Sequence, residues 1–182
     1  NFKDYCIYRK NTKLKNFYHF MNNHDISGYE AIWIVDDDIK METKEINKMF
    51  NIFKKHNLDL AQPSYTENSL ISHPITKVDR KCKLRFSNFV EIGAVIWSQK
   101  MIHKFKDMFK NTKSTCGIDY IVCKKGDNGK NIALIDETPC LHAHIKSSLE
   151  NIMPRQDMWK EGAELYNKYK VWPYEQKIYK KI

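Results

Sequence analysis

Ala31-Ile32-Trp33-Ile34-Val35-Asp36-Asp37-Asp38 is the stretch on which the reading of the fold turns. Five apolar residues run straight into three aspartates. A short unbroken apolar run with β-branched and aromatic members reads as a strand covered on both faces. Three carboxylates in consecutive positions repel one another, so each resists ionising. A divalent cation removes that conflict, and oxygen ligands suit Mg²⁺ or Mn²⁺. The carboxyl ends of strands are also where open α/β sheets bind ligands. The competing reading is a solvated acidic turn that caps the next helix.

Outward from this stretch, periodicity defines the neighbouring elements. Tyr5–Tyr8 reads as a short strand. Thr12 can cap a helix with Leu14, Phe17, Tyr18 and Met21 on one face. Thr43 can cap a second, with Ile46, Met49, Phe50 and Phe53 aligned. Leu58–Ala61 is a further strand, ended by Gln62-Pro63. Alternation of strand and helix predicts a parallel-rich sheet. Residues Ser64–Lys83 lack periodicity, and a connection that long predicts a mobile binding loop or lid.

Phe89–Trp97 is strand-like with one charge, Glu91, inside it. Ser98 can cap a helix whose face is Met101, Ile102, Phe105, Met108 and Phe109. Cys116-Gly117-Ile118-Asp119 opens a shorter helix, and Gly126–Gly129 is a turn. Ile132–Ile135 reads as the last strand, followed by Asp136 and by Leu141-His142-Ala143-His144. The tail, Arg155–Ile182, reads as helical, with Trp159, Tyr166, Tyr169 and Trp172. No repeat or linker divides residues 1–182, so one domain is expected.

Composition bounds the function. With 42% hydrophobic and 29% charged residues, the chain fits a soluble globular domain. It has no apolar run near the roughly 18 residues that span a bilayer. A net charge of +9 favours polyanions, acidic membranes or phosphorylated ligands. Lysine is spread along the chain, so a solvated basic surface accounts for most of that charge. The densest run, Lys77–Arg85, is a candidate phosphate-facing patch. Five cysteines, an odd number without a C-x-x-C pair, argue against a disulfide framework or a zinc knuckle. A cytoplasmic or otherwise reducing compartment is the simpler expectation. Cys116 and Cys123 read as small core residues. The chain starts at Asn1 rather than Met, which reads as truncation and leaves targeting open.

Asp36 with Asp38, Glu91, Asp119 and His142 each stand at or near the end of an apolar element. Singly, each has a plain explanation. Glu91 suits a buried paired carboxylate, Asp119 a helix N-cap, and His142 or His144 an ordinary hydrogen-bonded histidine. Together they suggest a metal–diphosphate site with a general base beside it.

An apolar strand ending in Asp-x-Asp within a strand–helix alternation resembles the GT-A fold of nucleotide-sugar glycosyltransferases. The finer resemblance is to a GT-A-like family of plants and bacteria catalogued as a domain of unknown function. Its pieces are Ile34–Ile39, Gln62-Pro63, Phe89–Ser98, Gly117-Ile118-Asp119, and Asp136 with His142 six residues later. They occur in the family's order between Tyr29 and His144.

The resemblance implies a GT-A-like, Rossmann-type α/β domain with a mixed, mostly parallel sheet flanked by helices, its first strand upstream of Asn1. It implies metal-dependent transfer of a sugar from a UDP- or GDP-sugar to a glycan, lipid-linked or protein-linked acceptor. The cofactor is then Mn²⁺ or Mg²⁺. Asp38 and His142 would ligate it together with Asp36. Asp36 and Asp37 would also reach the donor nucleotide, and Glu91 would line the sugar or acceptor pocket. Asp119 stands where inverting members carry the catalytic base. His142 is preferred to His144 because its offset from Asp136 matches the family. Two positions depart from the pattern. Cys116 stands where Trp is usual, and Gln99 where Arg commonly follows the Ser of the Val-Glu element. No nucleic-acid partner and no transmembrane segment are expected.

Other classes remain open on the residues alone. A metal-dependent nuclease or phosphotransferase would use the carboxylates with two metals about 4 Å apart. A non-catalytic basic module would bind polyanions without metal. A glycoside hydrolase needs two opposed carboxylates but no metal, which leaves the aspartate triplet unexplained.

Overall fold

The long apolar faces decide which helices cover the sheet. Met49 and Phe53 of α2 (Thr43–Lys55) are buried against one side. Met101, Ile102, Phe105, Met108 and Phe109 of α3 (Gln99–Asn111) are buried against the other. The computed structural model describes residues 9–126, 130–143 and 153–182. The strand expected at Tyr5–Tyr8, residues 127–129 of the expected turn, and His144 lie outside the described residues.

The remaining helices are α1 (Lys13–Asn23), α4 (Ile118–Lys125) and α5 (Arg155–Tyr169). The strands are β1 (Ala31–Val35), β2 (Ile39–Lys40), β3 (Leu60–Tyr65), β4 (Leu84–Ser87), β5 (Ala94–Ser98), β6 (Ile132–His142) and β7 (Ile178–Lys181). Along the sheet they run β1-β5-β3-β6-β4-β7, and β2 pairs with β6 off this path. Side chains alternate between two cores. Leu60, Val95, Trp97, Ile132 and Leu134 face α1, α3 and α4. Ala61, Ile96, Ala133 and Ile135 face α2. Two buried faces explain why these strands read as unbroken apolar runs. The result is a single α/β domain with helices on both sides of an open mixed sheet.

The expectation of a mostly parallel sheet is corrected. Among the described strands β3 and β6 pair in parallel, whereas β1 with β5, β3 with β5, β4 with β6, β4 with β7 and β2 with β6 are antiparallel. The crossover from β1 through α2 to β3 does join two strands of the same direction. β5 then returns between them and runs the other way, because the connection from β3 to β5 carries no crossover helix. β1 is consequently an edge strand, half-buried rather than covered throughout.

Several element boundaries also moved. β3 continues through Gln62-Pro63 to Tyr65, and Pro63 sits where the pairing with β6 shifts register. A residue with no N–H belongs at such an irregularity. Glu42 rather than Thr43 is the N-cap of α2. Thr12 is at the N-cap of α1 but its hydroxyl makes no cap bond. Ser98 does cap α3, accepting from the Met101 N–H. Within the tail the helix stops at Tyr169, and β7 adds to the edge of β4.

One pairing positions the functional groups. Ile39 and Lys40 of β2 pair with His142 and Leu141 at the far end of β6. The aspartate turn that precedes β2 is thereby brought against His142, about a hundred residues later in sequence.

Candidate functional site

Asp36 directly follows β1, and its N–H donates to the Gly93 carbonyl at 2.8 Å. This sets the turn opposite Glu91-Ile92-Gly93. A Cβ on Gly93 would lie 2.9 Å from the Tyr65 hydroxyl and 3.2 Å from Asp36 Oδ2. Glycine therefore lets three chain segments close on one point. Asp36 Oδ1 is ion-paired with Lys13 Nζ at 2.6 Å. The same ammonium donates to the Ile92 carbonyl at 2.8 Å. Sequence reasoning missed Lys13. Its only local signal was a cation in the first turn of α1, which opposes the helix dipole. Asp37 sits exposed in the turn.

Asp38 points inward. Its carbonyl accepts from the Ala143 N–H at 2.9 Å, and its Oδ2 lies 3.3 Å from His142 Nε2. Its Oδ1 is buried without a hydrogen-bond partner among the described residues. The His142 ring is fixed from behind. Nδ1 lies 2.9 Å from the Leu70 carbonyl. The ring also packs on Tyr65 with centroids 5.1 Å apart. A carbonyl only accepts, so Nδ1 carries the proton and donates to Leu70. Nε2 of a neutral ring then presents a lone pair to a carboxylate oxygen. Two such acceptors at this separation need a proton or a cation between them. Among the described residues, no third His, Cys, Asp or Glu joins them as a ready-made cluster.

Glu91 lies within electrostatic reach of both Asp36 and Asp119. Its N–H donates to Gln62 Oε1 at 2.7 Å. Its Oε2 is buried and without a hydrogen-bond partner among the described residues. Burial first, then the charges of Asp119 and Asp36, push its carboxyl up to about 8. At neutral pH it is mostly protonated. The Tyr65 phenol is held far above its usual range, by burial first and then by the charge of Glu91, and stays protonated.

Asp119 lies in the first turn of α4, whose N-cap is Gly117 with φ +79°. The plain alternative, in which Asp119 is itself the N-cap, is therefore corrected. Its Oδ1 accepts from the Tyr120 N–H at 3.0 Å, a bond that favours the ionised form. Burial outweighs it and raises the carboxyl to about 6. His73 Nε2 is 3.9 Å from Asp119 Oδ2, and burial lowers the imidazole's proton affinity. His73 Nδ1 lies 2.8 Å from Gln176 Nε2, an amide that donates. This leaves the His73 proton on Nε2, facing Asp119.

Asp136 plays a different part. Its carboxylate is gripped by Arg85, with Nε and Nη2 each at 2.8 Å. It also accepts from the Ser64 hydroxyl and the Asp79 N–H, both at 2.8 Å. Arg85 in turn donates to the Ile75 and Lys77 carbonyls. The basic run and the end of the expected lid are thus tied to the core. Residues 75–79 form a fixed wall, and Ser69 and Leu70 hold His142 through its N–H and its ring. A hollow of about 950 Å³ bounded by Tyr29, Phe50, Lys54 and Asn131 opens at the other end of β1, away from these groups.

The model of one protein family, DUF707, described as a protein of unknown function, matches residues 6–181. No curated protein and no solved structure matches the chain.

Proposed function

We propose that this chain, which belongs to the DUF707 family, is a metal-dependent glycosyltransferase that uses a nucleoside-diphosphate sugar as donor. The observation that carries the reading is the Asp38–His142 pair, 3.3 Å apart at a strand end, with its imidazole oriented from behind by Leu70. An orphaned carboxylate oxygen on Asp38 and a lone pair on His142 suit Mn²⁺ or Mg²⁺. Asp38 and His142 would hold the ion, with Asp36 beside them. When bound, such an ion supplies Lewis-acid neutralisation of a diphosphate leaving group, worth several kcal/mol. Held by these side chains, such an ion would still be able to take diphosphate oxygens.

The rest of the chemistry falls to the chain. Asp119 accepts the proton of the acceptor hydroxyl. That oxygen then forms a bond to the anomeric carbon, and the electrons of the sugar–phosphate bond leave with the diphosphate. A carboxyl at about 6 is mostly ionised at pH 7 yet more basic than an ordinary aspartate. That balance suits a general base, which contributes typically about 10²–10⁴-fold. Neutral Glu91 can donate a hydrogen bond without repelling the incoming phosphates. Lys13, beside Asp36, is a nearby cation for them. Attack from the Asp119 side opposite the leaving group corresponds to inversion. The Asp136–Arg85 pair keeps the wall of residues 75–79 in place but takes no part in the reaction.

The test is release of nucleoside diphosphate from UDP- and GDP-sugars in Mn²⁺ with a panel of hydroxyl acceptors. Asp119→Asn preserves the bond from Tyr120 and removes the basicity. Turnover should drop about 10²-fold or more while donor affinity is kept. Wild-type turnover in this variant would remove Asp119 from its role. Absence of release from every donor would overturn the proposal.

A further inference from the structure

Resting on the transferase reading, we infer that His73 is a positioning residue for Asp119, and that Gln176, brought in by the segment after α5, fixes the ring in the tautomer this role requires. Asp119 is buried, and its Oδ1 accepts from the Tyr120 N–H at 3.0 Å. Its Oδ2 faces His73 Nε2 at 3.9 Å. That separation is longer than a hydrogen bond, as catalytic contacts often are before substrate arrives. A carboxylate held through one oxygen can still turn about that bond. A second donor on the other oxygen fixes its plane, and each oxygen keeps a lone pair for the acceptor's proton.

A neutral His73 supplies that donor in one tautomer alone. Nδ1 lies 2.8 Å from the Gln176 amide nitrogen, which donates, so the ring proton is on Nε2. The same amide nitrogen is 3.1 Å from the Tyr120 hydroxyl, so its two protons have separate acceptors. Gln176 is pinned on both sides by one residue of the core sheet's margin. Asn88 Nδ2 donates to the Glu175 carbonyl at 2.9 Å, and Asn88 Oδ1 accepts from the Lys177 N–H at 2.8 Å. The His73 ring packs on Phe89, with centroids 4.6 Å apart, and meets Tyr120 edge-on at 6.0 Å. Its backbone carbonyl accepts from the Thr76 N–H and hydroxyl, at 2.9 and 2.8 Å. Arg85 holds the same turn through the Ile75 carbonyl. Ring, tautomer and backbone are thus each fixed separately, with the ring proton aimed at a buried carboxylate. A histidine that only filled space would need no such control of its tautomer.

Long-range ¹H–¹⁵N NMR of the free protein at pH 7.5 reads the tautomer with no donor present. The His73 proton should be on Nε2, and Gln176→Glu, which sets an acceptor against Nδ1, should place a proton on Nδ1. The second arm is transfer from UDP- and GDP-sugars in Mn²⁺. His73→Asn, too short to reach Asp119, should lower kcat about tenfold or more with the donor KM kept. His73→Gln, which brings an amide N–H to the place of Nε2, should keep most of the turnover. A wild-type ring protonated on Nδ1, or equal turnover in the Asn and Gln variants, would overturn this inference and leave the transferase reading standing. If the wild type releases nothing from any donor, the transferase reading fails and this role falls with it.

Discussion

Glu91→Gln tests the electrostatics of the site through stability alone, with no ligand present. The wild-type carboxyl is raised from an ordinary 4.5 to about 8 by burial and by Asp119 and Asp36. A raised acid binds more protons folded than unfolded, so stability falls as pH climbs from about 4.5 and levels out above about 8. Between pH 6.5 and 8 the loss integrates to about 1.5 kcal/mol. The window isolates Glu91 from its neighbours. Asp119, raised to about 6, has largely titrated below it. His73, lowered by burial, acts in the opposite sense, is largely finished by its ordinary 6.5, and is common to both proteins. The substituted amide has the same shape as the carboxyl and no proton to lose. Urea unfolding of both proteins in EDTA at the two pH values gives the comparison directly, provided the slopes agree. The variant should gain about 1.5 kcal/mol on wild type between pH 6.5 and 8. An identical stability difference at both values would mean that Glu91 is ionised in the folded protein at neutral pH, and the argument from burial would be wrong.

Two further outcomes follow from the geometry. Asp136→Asn leaves Arg85 buried and unpaired, which should cost about 3–5 kcal/mol in urea unfolding. A cost below about 1 kcal/mol would show that the 75–79 wall does not depend on the pair. Gly93→Ala places a methyl 2.9 Å from the Tyr65 hydroxyl and 3.2 Å from Asp36. It should weaken Mn²⁺-dependent nucleotide binding about tenfold, with partial recovery in the double variant carrying Tyr65→Phe. Unchanged affinity in the single variant would remove the close approach at Gly93 from the account.

The apolar faces of α2 and α3 were legible because helical spacing survives in any tertiary context. The direction of the sheet was not. Nothing local in residues 66–93 announces that β5 will return antiparallel between β1 and β3. Pro63 read as a terminator, yet it occupies the register shift where its missing N–H costs nothing. β7 was hidden because four residues after an irregular stretch carry little pattern. Within the site, Asp38 and His142 stood out as polar residues at the ends of apolar runs, and the β2–β6 pairing brings them together. Lys13, Tyr65 and Leu70 did not stand out, and Gln62 was read only with Pro63, as a strand end and a piece of the resemblance. Each acts on a partner far away in sequence, and each alone resembles an ordinary surface lysine or core residue. Asp136 was read as a spacing marker for His142, whereas its own side chain belongs to the Arg85 anchor.

The central claim is that a divalent cation couples nucleotide binding to Asp38 and His142. Calorimetric titration of UDP and GDP, in Mn²⁺ and in EDTA, tests it most directly. The account predicts that Mn²⁺ raises affinity for one of them at least tenfold, and that Asp38→Asn and His142→Ala each abolish the gain while the protein stays folded. Equal affinity in Mn²⁺ and in EDTA, or a gain that survives both substitutions, would contradict it.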